Sequence, residues 1–191
     1  MNIFDAVAFG YIVYMLILPV WWLGIHSRIR AIRRLGWAYY MLPVLLFFLI
    51  TFFIFYNYST VSQYRINTFY TFFAGIILAG ITMMIDLYRG TNYSFSTLIG
   101  LPEFFPRKYK SKLITSGIFS YIRHPRYLEY MLFALGMAFL TGLIICYLLF
   151  FYVLIAFNII ARYEEKELIQ RFGKKYIAYM KRVPRFLPKI N

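Results

Sequence analysis

The chain has 191 residues, of which 62% are hydrophobic, 23% aromatic and only 15% charged, a composition that excludes an ordinary soluble globular domain. Its formal charge of +14 does not point to nucleic acid, because the basic residues lie between apolar runs, where they set topology and meet anionic headgroups. Cys146 is the single cysteine, which excludes a disulfide framework and a cysteine metal site; His26 and His124 are far apart in sequence, and no metal site is predicted.

A spanning helix needs about 20 largely apolar residues. The stretch from Ile3 to Ile25 meets that length and carries no basic leader, so it reads as a membrane helix rather than a cleaved signal. Gly36 to Tyr56 holds no charge and forms the second predicted helix, with Pro43 expected to kink it. Ile66 to Ile85 forms the third, stopped by Asp86 and Arg89.

The next apolar run, Tyr127 to Ala161, has 35 residues with Glu129 as its one charge. As one helix it would extend about 52 Å, against a hydrocarbon thickness of about 30 Å. The segment "FLTGLI" offers a break, so the run is predicted to fold as two packed helices, 127–141 and 143–163, with a tight turn at Thr141-Gly142. The fold class is therefore an all-α integral membrane protein of about five transmembrane helices, forming one domain.

Charge supports that count. Four of the Lys and Arg residues fall in 26–35, seven in 87–126 and nine in 162–191, whereas 57–67 contains only Arg65. Five spans put 20 of the 21 basic residues on one side, which predicts an outside N-terminus and a cytoplasmic C-terminus. The long segment 87–126, with its "TNYSFSTLIGLPEFFP" stretch, then faces the same side as the C-terminal segment from Ala161 onward. There the last membrane helix is expected to continue as an amphipathic helix to Gly173, a C-cap, followed by a short helix that "VPRFLP" ends. The "NYS" triplets at 57–59 and 92–94 fit the glycosylation pattern, but one hugs the membrane and the other is predicted cytoplasmic, so neither is expected to be used.

Taken singly, Arg123, Arg126 and Lys112 fit topology anchors, Pro125 fits a helix N-terminus, and Glu167 and Arg171 fit an i,i+4 pair. Two features go further. Glu129 lies a turn inside the fourth helix, where an ionised carboxylate is costly unless paired or hydrated, and Arg126 at i−3 is spaced to neutralise it. The hairpin also carries 123–129 and 161–167 to one membrane surface, so a cluster of arginine and imidazole faces a cluster of carboxylates.

The sequence "KLITSGIFSYIRHPRYLEYM" followed by "RYEEKELIQRFGKKYIAYMKRVPRFLP" resembles the isoprenylcysteine carboxyl methyltransferase family and its wider relatives, the phospholipid methyltransferases. The resemblance covers roughly residues 110–189. It implies that the C-terminal half, 89–191, binds S-adenosyl-L-methionine, in a pocket expected to face the cytoplasm, while a lipophilic or prenylated acceptor enters from the bilayer lipids; the three helices of 1–88 match only in being hydrophobic. By resemblance, Arg123, His124, Pro125 and Tyr127 match the arginine–histidine–proline motif, Glu164 and Glu165 the double glutamate, and Leu113, Ile114, Gly117 and Ile118 a strand-like stretch covering the cofactor. Arg185 and Phe186 resemble the closing segment. Two positions depart from the pattern: Glu129 replaces a common glycine, and Ser111 a frequent histidine.

That cofactor suits the residue types, since a cationic sulfonium with a zwitterionic tail calls for carboxylates, a cation and aromatic walls. Arg126 and Arg162 are candidates to orient an acceptor carboxylate, with Glu129 a further carboxylate in the catalytic group. An amine acceptor would instead need His124 or a glutamate as base. The readings open at this point are carboxyl methylation, phospholipid amine methylation, an NADPH-dependent sterol-reductase-like activity and a non-catalytic membrane role.

Overall fold

The computed structural model describes residues 3–66, 68–90 and 112–188; the triplet at 92–94 and Ser111 lie outside them. Helix α1 runs Ile3–Leu35, α2 Ala38–Tyr56, α3 Tyr58–Ser62, α4 Phe69–Gly90, α5 Pro125–Thr141, α6 Ile144–Phe172 and α7 Lys174–Arg182. A 3-10 turn, Gly117–Ser120, precedes α5. No β-strand occurs among the described residues, where Arg65 and Leu143 form an isolated antiparallel bridge.

Four of these helices, the Ile3–Arg28 part of α1, α2, the Phe69–Arg89 part of α4, and α6, are long and apolar enough to cross a membrane. Helix α5, with 17 residues, is about 25 Å long and forms the other arm of a hairpin with α6. The hairpin closes at the predicted place. Gly142 adopts φ +67 and donates its N–H to the Ala138 carbonyl, 2.9 Å away, a left-handed helix cap that favours glycine.

The structure also departs from the sequence expectation. Helix α1 continues ten residues past Ile25 to Leu35, with a non-helical kink at Arg28. Asp86 and Arg89 do not stop α4, which runs on to Gly90, because Arg89 finds carboxylate partners instead of demanding water. The stretch 113–119 forms no strand: 112–115 has no regular structure, Ser116 is extended and Gly117 opens the 3-10 turn.

Within a bilayer, association rests on close packing more than on burial from water. Helix α1 packs against α2, α5 and α6, and α4 lies along α5. Buried Ala8, Ile12 and Met15 of α1, Ala134 and Ala138 of α5, and Val153, Phe157 and Ala161 of α6 share one core. Gly75 and Gly136 let α4 and α5 meet backbone to backbone: a Cβ at Gly75 would stand 2.8 Å from both Leu140 N and Leu140 Cγ.

One polar cluster ties the end of the bundle that carries the hairpin turn. Buried Asp5 accepts two N–H groups from Arg65, at 3.0 and 2.7 Å, and the Tyr58 hydroxyl at 2.9 Å. Arg65 also donates to the Thr141 carbonyl, 3.1 Å away, so α1, α3 and the hairpin turn share one ion pair. The chemistry-bearing residues gather at the opposite end.

Candidate active site

Proline at the first position of α5 suits a helix start, where its missing N–H is not needed, and it follows the N-cap residue His124. Antiparallel α6 brings Glu164 and Glu165 to the same level. Helix α6 ends at Gly173, φ +57, and α7 turns back so that its exit strap, Val183 to Phe186, lies beside the start of α5. Two backbone bonds fix this strap: Arg123 N–H to Pro184 O at 2.9 Å and His124 N–H to Arg185 O at 3.1 Å.

Glu165 is the hub. Its buried carboxylate accepts Arg123 Nε at 3.1 Å and Nη2 at 2.7 Å, and Arg185 Nε at 3.0 Å and Nη2 at 2.5 Å, while His124 Nε2 lies 3.2 Å away. Arg123 also donates Nη1 to the carbonyls of Met180, 3.0 Å, and Val183, 2.5 Å. Three chain segments distant in sequence therefore meet on one carboxylate, and such charge-assisted bonds are about twice as strong as neutral ones.

Glu164 occupies the more open side, with its side chain 26% exposed against 5% for Glu165. It accepts the Tyr127 hydroxyl at 2.8 Å, and His124 Nδ1 is 3.3 Å away. The His124 ring stacks on Tyr127 with centroids 5.3 Å apart, Tyr127 stacks on Phe157 at 4.8 Å, and Phe186 tilts over His124 at 6.0 Å. Burial disfavours the His124 imidazolium, but the Glu164 and Glu165 carboxylates outweigh it and raise its pKa above the ordinary 6.5. The Glu165 hydrogen bond likewise raises that of Arg185.

Behind this cluster, Tyr176 and Tyr179 bury one face of α7 against Leu113, and Tyr179 donates its hydroxyl to Phe119 O at 2.6 Å. Burial pushes the Tyr179 phenol up to about 12, so it stays a neutral donor. Ile114 packs against Ile118, Phe119 and Ile122, and Gly117 holds φ +62.

Of the residues singled out in the sequence, Arg123, His124, Pro125, Tyr127, Glu164, Glu165, Arg185 and Phe186 come together. Leu113 packs with Tyr176 and Tyr179, and Ile114 packs with Ile118 ahead of α5, where Gly117 opens the 3-10 turn. Arg126 turns toward α1: its Nε donates to the Tyr130 hydroxyl at 2.6 Å, and its guanidinium lies 5.7 Å from the centre of Trp22. Arg162 is exposed on α6.

Glu129 takes its ion-pair partner from another helix. Arg89 of α4 takes it, Nε to Oε2 at 3.1 Å, and also pairs with Asp86. Helix periodicity offers Arg126 at i−3, whereas the observed pair requires knowing that α4 lies along α5. The Glu167–Arg171 pair forms as the spacing predicts, but Glu167 also holds His26 Nδ1 at 2.8 Å. Sequence reasoning missed that α1 contact; the spacing of Tyr11, Tyr14, Trp22 and His26 along one helical face was its available signal. Among the described residues, no group of three His, Cys, Asp or Glu side chains is placed to hold a metal ion.

A carboxylate pair backed by two guanidinium groups, an imidazole and stacked rings suits a cationic or zwitterionic small molecule. Known proteins bear on which one. Residues 70–175 match the family model for phospholipid methyltransferase. The protein-S-isoprenylcysteine O-methyltransferase of Schizosaccharomyces pombe is 40% identical over 79 residues, 41% of this chain and 34% of that protein. Form B from Arabidopsis thaliana is 30% identical over 124 residues, 59% of each chain, and the Xenopus laevis enzyme 38% identical over 82 residues, 41% of this chain and 28% of that one. The chain thus spans between 28% and 59% of the length of these curated relatives. No solved structure matches it.

Proposed function

Because the chain belongs to the phospholipid methyltransferase family, whose model covers residues 70–175, we propose that it is a membrane methyltransferase that moves a methyl group from S-adenosyl-L-methionine to a lipophilic acceptor, an isoprenylcysteine-type carboxylate. The observation that carries this reading is the meeting of Arg123, His124, Tyr127 and Arg185 on Glu164 and Glu165. The relatives' names favour the carboxylate acceptor.

The residue set fits the donor. Arg185 and Glu164, with side chains 28% and 26% exposed, form the accessible rim over the buried Arg123–Glu165 pair. In our reading Arg185 meets the donor's carboxylate, Glu164 its cationic end, and His124, Tyr127 and Phe186 wall its base. When bound, S-adenosyl-L-methionine supplies a methyl group on a cationic sulfonium. The protein's own share is alignment and exclusion of water from the nucleophile. A carboxylate is already ionised at neutral pH, so Arg126 orients it and no general base is required. We assign Glu129 the role of holding α4 on α5 through Arg89, and Arg162 an outer position at the rim.

The same reading sets the N-terminus outside and the rim in the cytoplasm, where a water-soluble donor and a bilayer-borne acceptor can meet. Labelled methyl transfer tests it. S-farnesylcysteine-type acceptors should be methylated, and Arg126→Leu should lower turnover far more than donor binding. Transfer only to phosphatidylethanolamine would replace the acceptor with a phospholipid amine, and unchanged turnover in Arg126→Leu would remove the role given to Arg126.

A further inference from the structure

Arg126 does not stand on α5 alone. Its guanidinium lies near two rings, 5.4 Å from the centre of Tyr130 and 5.7 Å from that of Trp22. Tyr130 belongs to α5, but Trp22 comes from α1, outside residues 70–175 that match the family model. Trp22 is itself held by a second ring: it stacks on His26 with centroids 5.4 Å apart and planes 10° from parallel, and His26 is tied to Glu167 of α6. Tyr14 of α1 completes the setting, its hydroxyl 3.2 Å from that of Tyr130.

Two further facts mark Trp22 as more than packing. It is only 6% exposed, yet its indole N–H has no hydrogen-bond partner among the described residues. A buried donor without an acceptor is costly and uncommon. A purely structural aromatic could be phenylalanine and avoid that cost. Beside a cation, an indole offers both the strongest aromatic face and an N–H donor.

We propose that Trp22 of α1, braced by His26, is a positioning residue for the acceptor: its ring fixes the Arg126 guanidinium, and its N–H supplies a second donor for the acceptor's carboxylate. The N-terminal helix thereby becomes part of the acceptor site and not only a membrane anchor. This inference rests on the methyltransferase reading and on the role given there to Arg126.

Kinetics of the full chain in detergent or vesicles test it, with S-farnesylcysteine-type acceptor and S-adenosyl-L-methionine varied separately. Trp22→Leu should raise the acceptor KM roughly tenfold, the scale of a desolvated cation–π contact, and leave the donor KM and S-adenosylhomocysteine affinity within about twofold. Trp22→Phe, which keeps a ring and loses the N–H, should fall between. His26→Ala should have a smaller effect and add nothing to Trp22→Leu, because it acts through that ring. An unchanged acceptor KM in Trp22→Leu, or equal losses for donor and acceptor, would overturn the proposal. A second readout needs no activity. With Trp21 and Trp37 changed to phenylalanine, Trp22 is the remaining indole of three, and Arg126→Leu should shift its emission; no shift would overturn the ring contact. If the unmodified chain transfers no methyl group, the proposed function fails, while the emission measurement still decides whether Trp22 and Arg126 touch.

Discussion

At the scale of single residues, Glu165 shows how a buried charge is made tolerable. Its carboxylate is surrounded by two guanidinium groups and an imidazole, so removing it leaves those cations without their shared buried counter-charge. Breaking such a buried pair from one side costs about 3–5 kcal/mol. Glu165→Ala should therefore lower the thermal unfolding midpoint far more than Arg162→Ala, which alters an exposed side chain; equal midpoints would contradict the hub role. His124 gives a pH signature. Its pKa is raised in the folded chain by Glu164 and Glu165, so the native state holds the proton more tightly than the unfolded one. That contribution is complete below the ordinary value near 6.5 and is lost as pH rises through the higher folded pKa. Unfolding midpoints measured upward from pH 6 should fall, and His124→Gln should flatten the slope; a parallel slope in both proteins would count against it.

At the scale of elements, the tightest demand lies where α4 crosses α5. A methyl group at Gly75 would stand 2.8 Å from Leu140 N and 3.0 Å from Gly136 O, and backbone cannot yield as a flexible side chain can. Gly75→Ala should destabilise by about 1–3 kcal/mol, as overpacking does, read from unfolding in detergent; a midpoint equal to the parent's would show that the helices can part freely. The same crossing explains what the sequence concealed. Hairpin length and the Gly142 turn were readable because they are local: 35 apolar residues exceed one bilayer crossing, and a glycine follows where the first arm must end. The Arg89–Glu129 pair was not, since it joins residues whose proximity depends on which helix lies beside α5. The His26–Glu167 contact was hidden for the same reason. Motif residues 123–127 and 164–165 were legible through their resemblance to known sequences, and their convergence through the hairpin; the carbonyls of Met180 and Val183 that grip Arg123 were not, because every residue has a carbonyl.

At the scale of the molecule, the two ends of the bundle have different jobs. The Asp5–Arg65 pair ties α1 to the hairpin turn at one end, and the charged cluster sits at the other. The proposed orientation places 20 of the 21 basic residues on the cluster's side, as the positive-inside rule favours. In a Cys146→Ala background, which removes the buried native thiol, Ser59→Cys should react with an impermeant maleimide on intact cells and Lys175→Cys only after permeabilisation. The reverse pattern would invert the proposed topology.

Whether the Glu164–Glu165 cluster receives the methyl donor is decided by calorimetric titration of the detergent-purified chain with S-adenosylhomocysteine, with NADPH titrated beside it. Saturable binding of S-adenosylhomocysteine, weakened at least tenfold by Glu164→Gln with the unfolding midpoint retained, is the predicted result. Binding of NADPH instead, or S-adenosylhomocysteine binding indifferent to Glu164→Gln, would contradict it.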